Sequence, residues 1–207
     1  MRKEEVVKAF NIKSSETSLL ESFLIDLKKT NKHTNLVGQS TMLSPWDRHI
    51  CDSIQLTSII NKKESRILDM GTGPGFPGLV LAIVGYKNIT LVDSKEKKVN
   101  FLKKTIKKFD LKTKAFHGRL ENIKLKPFEF IVSRALAPLE RLLNYSLFFS
   151  NKNTTLLFLK GKNAMNEIVE AKKNFYFNYD MINSQSEGGG FVVKIKNFKK
   201  IWLKLYQ

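Results

Sequence analysis

The residues with the clearest chemical potential form one run, Asp69-Met70-Gly71-Thr72-Gly73-Pro74-Gly75-Phe76-Pro77-Gly78. Glycines at this density let the chain turn tightly and bring bare backbone N–H groups against a ligand at the start of a following helix. A phosphate-transferring P-loop would end in Gly-Lys-Ser/Thr, whereas Gly78 is followed by Leu79 and Val80. Gly73-x-Gly75-x-x-Gly78 does satisfy the dinucleotide pattern, and the next apolar run ends in Asp93, roughly 20 residues beyond Gly71, where a carboxylate holds ribose hydroxyls. The pattern points to a cofactor that carries adenosine, which both a nicotinamide dinucleotide and S-adenosylmethionine do. Asp69, two residues before Gly71, favours the second, because another carboxylate is unwelcome beside a pyrophosphate and useful beside an ammonium and a sulfonium.

Other candidates carry less. An NAD(P)-dependent oxidoreductase of the Tyr-x-x-x-Lys type lacks its pair here, since Phe149 follows Tyr145 by four and Asp180 follows Tyr176 by four. His49, Asp52 and Ser53 share one helical face but have no nucleophile elbow, so they read as a brace between N-terminal helices and the glycine loop, with Arg48 or His49 meeting RNA. His33, His49 and His117 are too dispersed for a metal site, and Cys51, the one cysteine, can build neither a disulfide nor a cysteine zinc site. Lys160 ends an apolar run, where it suits either a phosphate contact or a structural role.

The elements that must position these groups follow from periodicity. Leu19, Leu20, Phe23, Leu24 and Leu27 predict an amphipathic helix over 14–31, preceded by a shorter one and followed by a polar loop over 32–41. Ser44-Pro45-Trp46-Asp47 predicts a capped helix running to about Ile60. Beyond it, apolar runs at 66–70, 88–93, 114–117, 128–133 and 154–160 alternate with helical patterns at 78–84, 95–109, 138–149 and 163–173. Such alternation predicts an open α/β sheet covered on both faces. Residues 175–181 and 191–196, joined through Gly188-Gly189-Gly190, predict a terminal hairpin, and the basic tail offers Trp202 and Tyr206 as anchors. The division expected is a helical extension over 1–62 and a cofactor-binding core over 63–207, forming one domain of 207 residues.

Lys and Arg total 36 against 19 Asp and Glu, a net charge of +17 that suits a polyanion partner, although only six are Arg and a lysine-rich compositional drift would give the same excess. Lys103, Lys104, Lys107 and Lys108 read first as the solvated face of a helix. No run approaches the ~20 apolar residues of a membrane span, and MRKEEVVKAF has acids where a signal peptide is apolar, so a cytoplasmic protein without a membrane partner is expected.

The chain resembles the bacterial small-subunit rRNA guanine-N7 methyltransferases, the glucose-inhibited division protein B family. The resemblance is carried by Arg48-His49-x-x-Asp52-Ser53, GTGPGFPG, Leu91-Val92-Asp93-Ser94, Lys97-Lys98-x-x-Phe101-Leu102, Gly118-Arg119-Leu120-Glu121, Val132-Ser133-Arg134-Ala135 and Leu159-Lys160-Gly161, in family order. It implies a Rossmann-like methyltransferase with a mostly parallel seven-stranded sheet, acting with S-adenosylmethionine on N7 of one guanine in 16S rRNA of the small ribosomal subunit; a monomer without metal is expected beside it. It also implies that Gly71 and Phe76 line the cofactor, that Leu120 and Glu121 flank the adenine, and that Arg134 reaches it from the fourth strand; Gly73 and Asp93 join these as cofactor candidates on the glycine-loop pattern, and Arg48, His49 and Lys160 are the RNA-contact candidates. Guanine N7 offers a free lone pair, so the transfer needs orientation more than a base. A non-enzymatic rRNA-binding or ribosome-assembly protein is the remaining alternative.

Overall fold

The computed structural model describes residues 1–201; Trp202 and Tyr206, the expected tail anchors, lie outside the described residues. The chain opens with α1 (Lys3–Ala9) and α2 (Ser14–Thr34), the latter burying Leu20, Phe23, Leu24 and Leu27 at the spacing that defines one helical stripe. Asn35, at φ 47°, ends α2 in the left-handed conformation that asparagine tolerates. A single regular helix to Ile60 does not follow. The segment is a π-helical turn, Trp46–Cys51, then one α turn, α3 (Asp52–Ile54), then a 3₁₀ turn, Gln55–Ser58. The predicted cap is absent because Asp47 is drawn elsewhere: its carboxylate accepts from the Met1 amino group at 3.1 Å and from the Glu187 N–H at 2.9 Å.

Seven strands then form one sheet in the order β3-β2-β1-β4-β5-β7-β6. The strands are β1 (Ile67–Met70), β2 (Ile89–Asp93), β3 (Lys114–His117), β4 (Phe130–Arg134), β5 (Thr155–Lys160), β6 (Phe175–Asn183) and β7 (Phe191–Lys200). All are parallel except β7, which runs antiparallel to both β5 and β6. The fourth strand starts two residues later than its apolar run suggests, because the Phe128 N–H is spent on Phe149 O at 2.9 Å, outside the ladder.

Strand alternation divides the core into two layers. Ile67, Leu91, Val132 and Leu157 face α1, α2, α4 (Gly78–Ile83) and α5 (Glu96–Lys108). Leu68, Val92, Ile131 and Leu156 face α6 (Leu139–Ser146) and α7 (Ala164–Lys172). The N-terminal helices therefore share a core with the glycine-loop side of the sheet. Phe23 of α2 meets Phe76 of that loop with centroids 5.4 Å apart and Phe101 of α5 at 6.1 Å, contacts worth about 0.5–1.5 kcal/mol each beyond area burial. No helix among the described residues is long and apolar enough to cross a membrane.

Candidate functional site

The chain leaves β1 toward β2 and β3 on one side and returns to β4 and β5 on the other, so the crevice at the C-terminal ends of β1 and β4 is the topological switch point where open sheets bind ligands. Two cavities open there. The smaller, about 320 Å³, is lined by Gly71, Val92, Asp93, Lys98, Leu120, Glu121 and their neighbours. The larger, about 610 Å³, is lined by Arg48, His49, Asp52, Arg134, Lys160, Ser186 and others. Ala135 and Leu136 line both.

Backbone N–H groups fix the carboxylate of the smaller cavity. Asp93 closes β2 and is 6% exposed; its Oδ2 accepts the Gly73 N–H at 2.9 Å and its Oδ1 the Lys95 N–H at 2.8 Å. Those bonds fix the carboxylate and leave each oxygen a lone pair for a ligand hydroxyl. Gly71, at φ +66°, carries the turn where a side chain would be strained. Asp69 does not reach this cavity. It shares the strand face of Ile67, is fully buried beneath α4, and its Oδ2 accepts the Gly78 N–H at 2.7 Å. Burial pushes its carboxyl up to about 7 despite the neighbouring Thr72 hydroxyl and the Gly78 amide, and among the described residues neither its Oδ1 nor the Thr72 hydroxyl has a hydrogen-bond partner of good geometry. Asp69 is therefore a support for the loop, which corrects the sequence expectation that it meets the ammonium end of the cofactor.

Side chains from distant segments build the larger cavity. Arg134, at the end of β4, donates to Arg48 O at 2.7 Å and to His49 Nδ1 at 2.8 Å, lies 3.6 Å from the Asp52 carboxylate, and stands over the Phe76 ring at 4.9 Å. Because a guanidinium only donates, His49 Nδ1 must accept, which leaves Nε2–H to donate to Thr41 Oγ1 at 3.0 Å; Thr41 in turn donates to Gly38 O at 2.7 Å. Burial first, then the charges of Arg134 and Arg48, push the imidazole down to about 3, so it is neutral. Its ring stacks on Phe76, 4.4 Å between centroids and 11° between planes. Asp52 Oδ1 accepts from Ser184 at 3.2 Å and Ser186 at 2.9 Å, tying the β6–β7 loop into the same network.

These positions sort the expected site residues. Gly71, Asp93, Leu120 and Glu121 come together around the smaller cavity. Gly73 supports Asp93 from behind, and Phe76, 2% exposed between Phe23 and His49, lines neither cavity. Arg134 lines the larger cavity, not the smaller one. Of the RNA candidates, Arg48 is exposed, but His49 is 2% exposed with both ring nitrogens committed, so of its two expected roles its geometry is that of the brace. Lys160 likewise spends its ammonium internally, on Ala137 O and Glu167. The sequence reading missed Lys98, Leu136, Ser184 and Ser186. A position just past a parallel strand's C-terminal end was the available signal for Leu136; nothing local marks the serines.

A sequence profile of the rRNA small subunit methyltransferase G family, GidB, matches residues 16–188. Proteins described as ribosomal RNA small subunit methyltransferase G are similar along almost the whole chain. The Orientia tsutsugamushi (strain Ikeda) protein is 35% identical over 187 residues, covering 90% of this chain and 93% of its own. That of Rickettsia prowazekii (strain Madrid E) is 36% identical over 190 residues, covering 92% and 98%. Among solved structures, M. jannaschii TYW2 in complex with AdoMet superposes with a TM-score of 0.55 at 15% identity, covering 72% of this chain and 77% of that one. The glycopeptide N-methyltransferase MtfA complexed with sinefungin gives 0.59 at 10% identity, covering 71% and 93%. The structures establish the methyltransferase fold and the sequence relatives the lineage: this chain belongs to the rRNA small subunit methyltransferase G family of S-adenosylmethionine-dependent enzymes.

Proposed function

We propose that this protein transfers the methyl group of S-adenosylmethionine to N7 of a guanine in 16S rRNA, acting as a monomer on the small subunit or its RNA. The observation that carries the reading is the pair of cavities at one switch point, sharing Ala135 and Leu136 as their common wall. The smaller suits the cofactor: Asp93 offers a fixed carboxylate for ribose hydroxyls, Val92 and Leu120 offer apolar surface for adenine, and Glu121 offers an acceptor for its exocyclic amine. The bound cofactor supplies a methyl group activated by the sulfonium. The larger cavity is wide enough for a base, and the exposed Arg48 at its edge suits an RNA phosphate. N7 attacks with a lone pair it already has, so what the protein contributes is orientation. His49 fits that demand, because a neutral ring with both nitrogens engaged braces the wall and moves no proton.

The test is transfer from methyl-tritiated S-adenosylmethionine to small ribosomal subunits lacking the modification, with free 16S rRNA alongside. Label released as 7-methylguanine is the expected result. Label on another base or atom would overturn the guanine-N7 assignment, and no label from protein that binds the cofactor would overturn the rRNA substrate. Sedimentation of the active protein checks the monomer.

A further inference from the structure

The β4–α6 connection, residues 135–138, is the strip where the two cavities meet. Ala135 is left-handed at φ +54°, a conformation a non-glycine residue keeps only where its surroundings enforce it. Leu136 follows with its side chain laid against Gly71, such that a Cβ built on that glycine would stand 2.5 Å from Leu136 Cδ1. A leucine 37% exposed at this point faces the cavities and not the core. From β5, Lys160 Nζ reaches across to Ala137 O at 2.7 Å and to Glu167 Oε2 at 2.6 Å, and the same carboxylate oxygen accepts the Leu139 N–H at 2.7 Å. One ion pair, its lysine side chain 9% exposed, thus holds the backbone on both sides of Pro138.

We propose that Leu136 is the wall that sets the approach of the methyl donor to the acceptor base, and that Lys160, through Glu167 and the 135–138 backbone, is the positioning residue for that wall rather than an RNA contact. The inference rests on the functional reading above. A displacement that needs no base is governed by distance and alignment, so a side chain bordering both ligands sets the rate while contributing little to either affinity. Truncating it frees space on both sides. Releasing the Lys160–Glu167 hold lets the same wall shift with Leu136 intact.

The experiment combines methyl-transfer kinetics with calorimetric cofactor binding on the full chain. Leu136→Ala is expected to lower kcat at least about tenfold, with cofactor Kd and RNA KM within about threefold of wild type, and Leu136→Met to recover most of the rate. Lys160→Met should reproduce the kcat loss, keep the wild-type dependence of KM on salt, and add nothing to Leu136→Ala in the double variant. An RNA phosphate contact behaves differently: Lys160→Met would then raise KM, reduce the slope of log KM against log salt by about one, and combine additively with Leu136→Ala. That pattern would overturn the positioning role. Should Lys160→Met not fold, Glu167→Gln, which removes the charge and keeps an acceptor for the Leu139 N–H, carries the same comparison. Wild-type protein that transfers no methyl group would overturn the functional reading itself; wild-type transfer with an unchanged kcat in Leu136→Ala would overturn this proposal alone.

Discussion

The polar groups of the two cavities are held in different ways. In the smaller, the polar anchor is one carboxylate at the end of β2 whose oxygens are fixed by main-chain N–H groups, set among Gly71 and side chains such as Lys98, Leu120 and Leu136. The larger is shaped by residues from six stretches of the chain, with Arg134, His49 and Asp52 linking three of them through side-chain contacts. A carboxylate held by backbone keeps its place under most substitutions around it, because the N–H groups that hold it are common to nearly all residues. A cavity made of interlocked side chains depends on each member, since removing one leaves its partners' donors and charges unpaired away from water. The first arrangement suits a cofactor that every turnover uses; the second allows an acceptor site to be specific.

Four substitutions would sharpen or break that contrast. The largest effect is expected from Arg134→Met, which strands the Asp52 carboxylate, His49 Nδ1 and Arg48 O together. Loss of one partner of a mostly buried pair costs about 3 kcal/mol, so urea denaturation should show a fall of that size; a change below about 1 kcal/mol would mean the network is not cooperative. Asp93→Ala acts on the other cavity. It should weaken S-adenosylmethionine binding by roughly thirtyfold, about 2 kcal/mol for charge-assisted hydrogen bonds lost, while the fold is retained; unchanged affinity by calorimetry would remove Asp93 from the ribose site.

The smallest effect is a slope against pH, and it has opposite signs in the two regions. Asp69 titrates near 7 in the folded protein, above its ordinary 3.8, so its contribution to stability is full below about pH 4 and is lost as pH rises to about 7. His49 titrates near 3, below its ordinary 6.5, so its contribution is full above about pH 6.5 and is lost as pH falls toward 3. Between pH 4 and 6.5 the two offset each other. Relative to wild type, Asp69→Asn should make stability rise more steeply with pH across that window and His49→Gln should make it rise less, each by at most about 1.4 kcal/mol per pH unit. Parallel curves for wild type and both variants would show that neither group titrates away from its ordinary value.

The cofactor half was legible in the sequence because its signals are local. A glycine turn between an apolar run and a helix, followed by an acid at the end of the next run, specifies backbone conformation and ligand chemistry within about 25 residues. The βα alternation likewise announced a parallel sheet covered on both faces, and the resemblance named the family to which the chain belongs. What needed tertiary structure was every assignment that depends on which neighbour a side chain meets. Asp69 looked like a cofactor ligand until strand alternation turned it beneath α4. Lys160 was equally suited to phosphate or carboxylate until β5 placed it beside Glu167 and Ala137. Ser184 and Ser186 stand more than 130 residues from Asp52, and Gln55 donates to Ser184. Spacing reports backbone geometry because chain connectivity enforces it over a few residues; the partners of buried polar groups are chosen by packing between segments that the sequence leaves far apart.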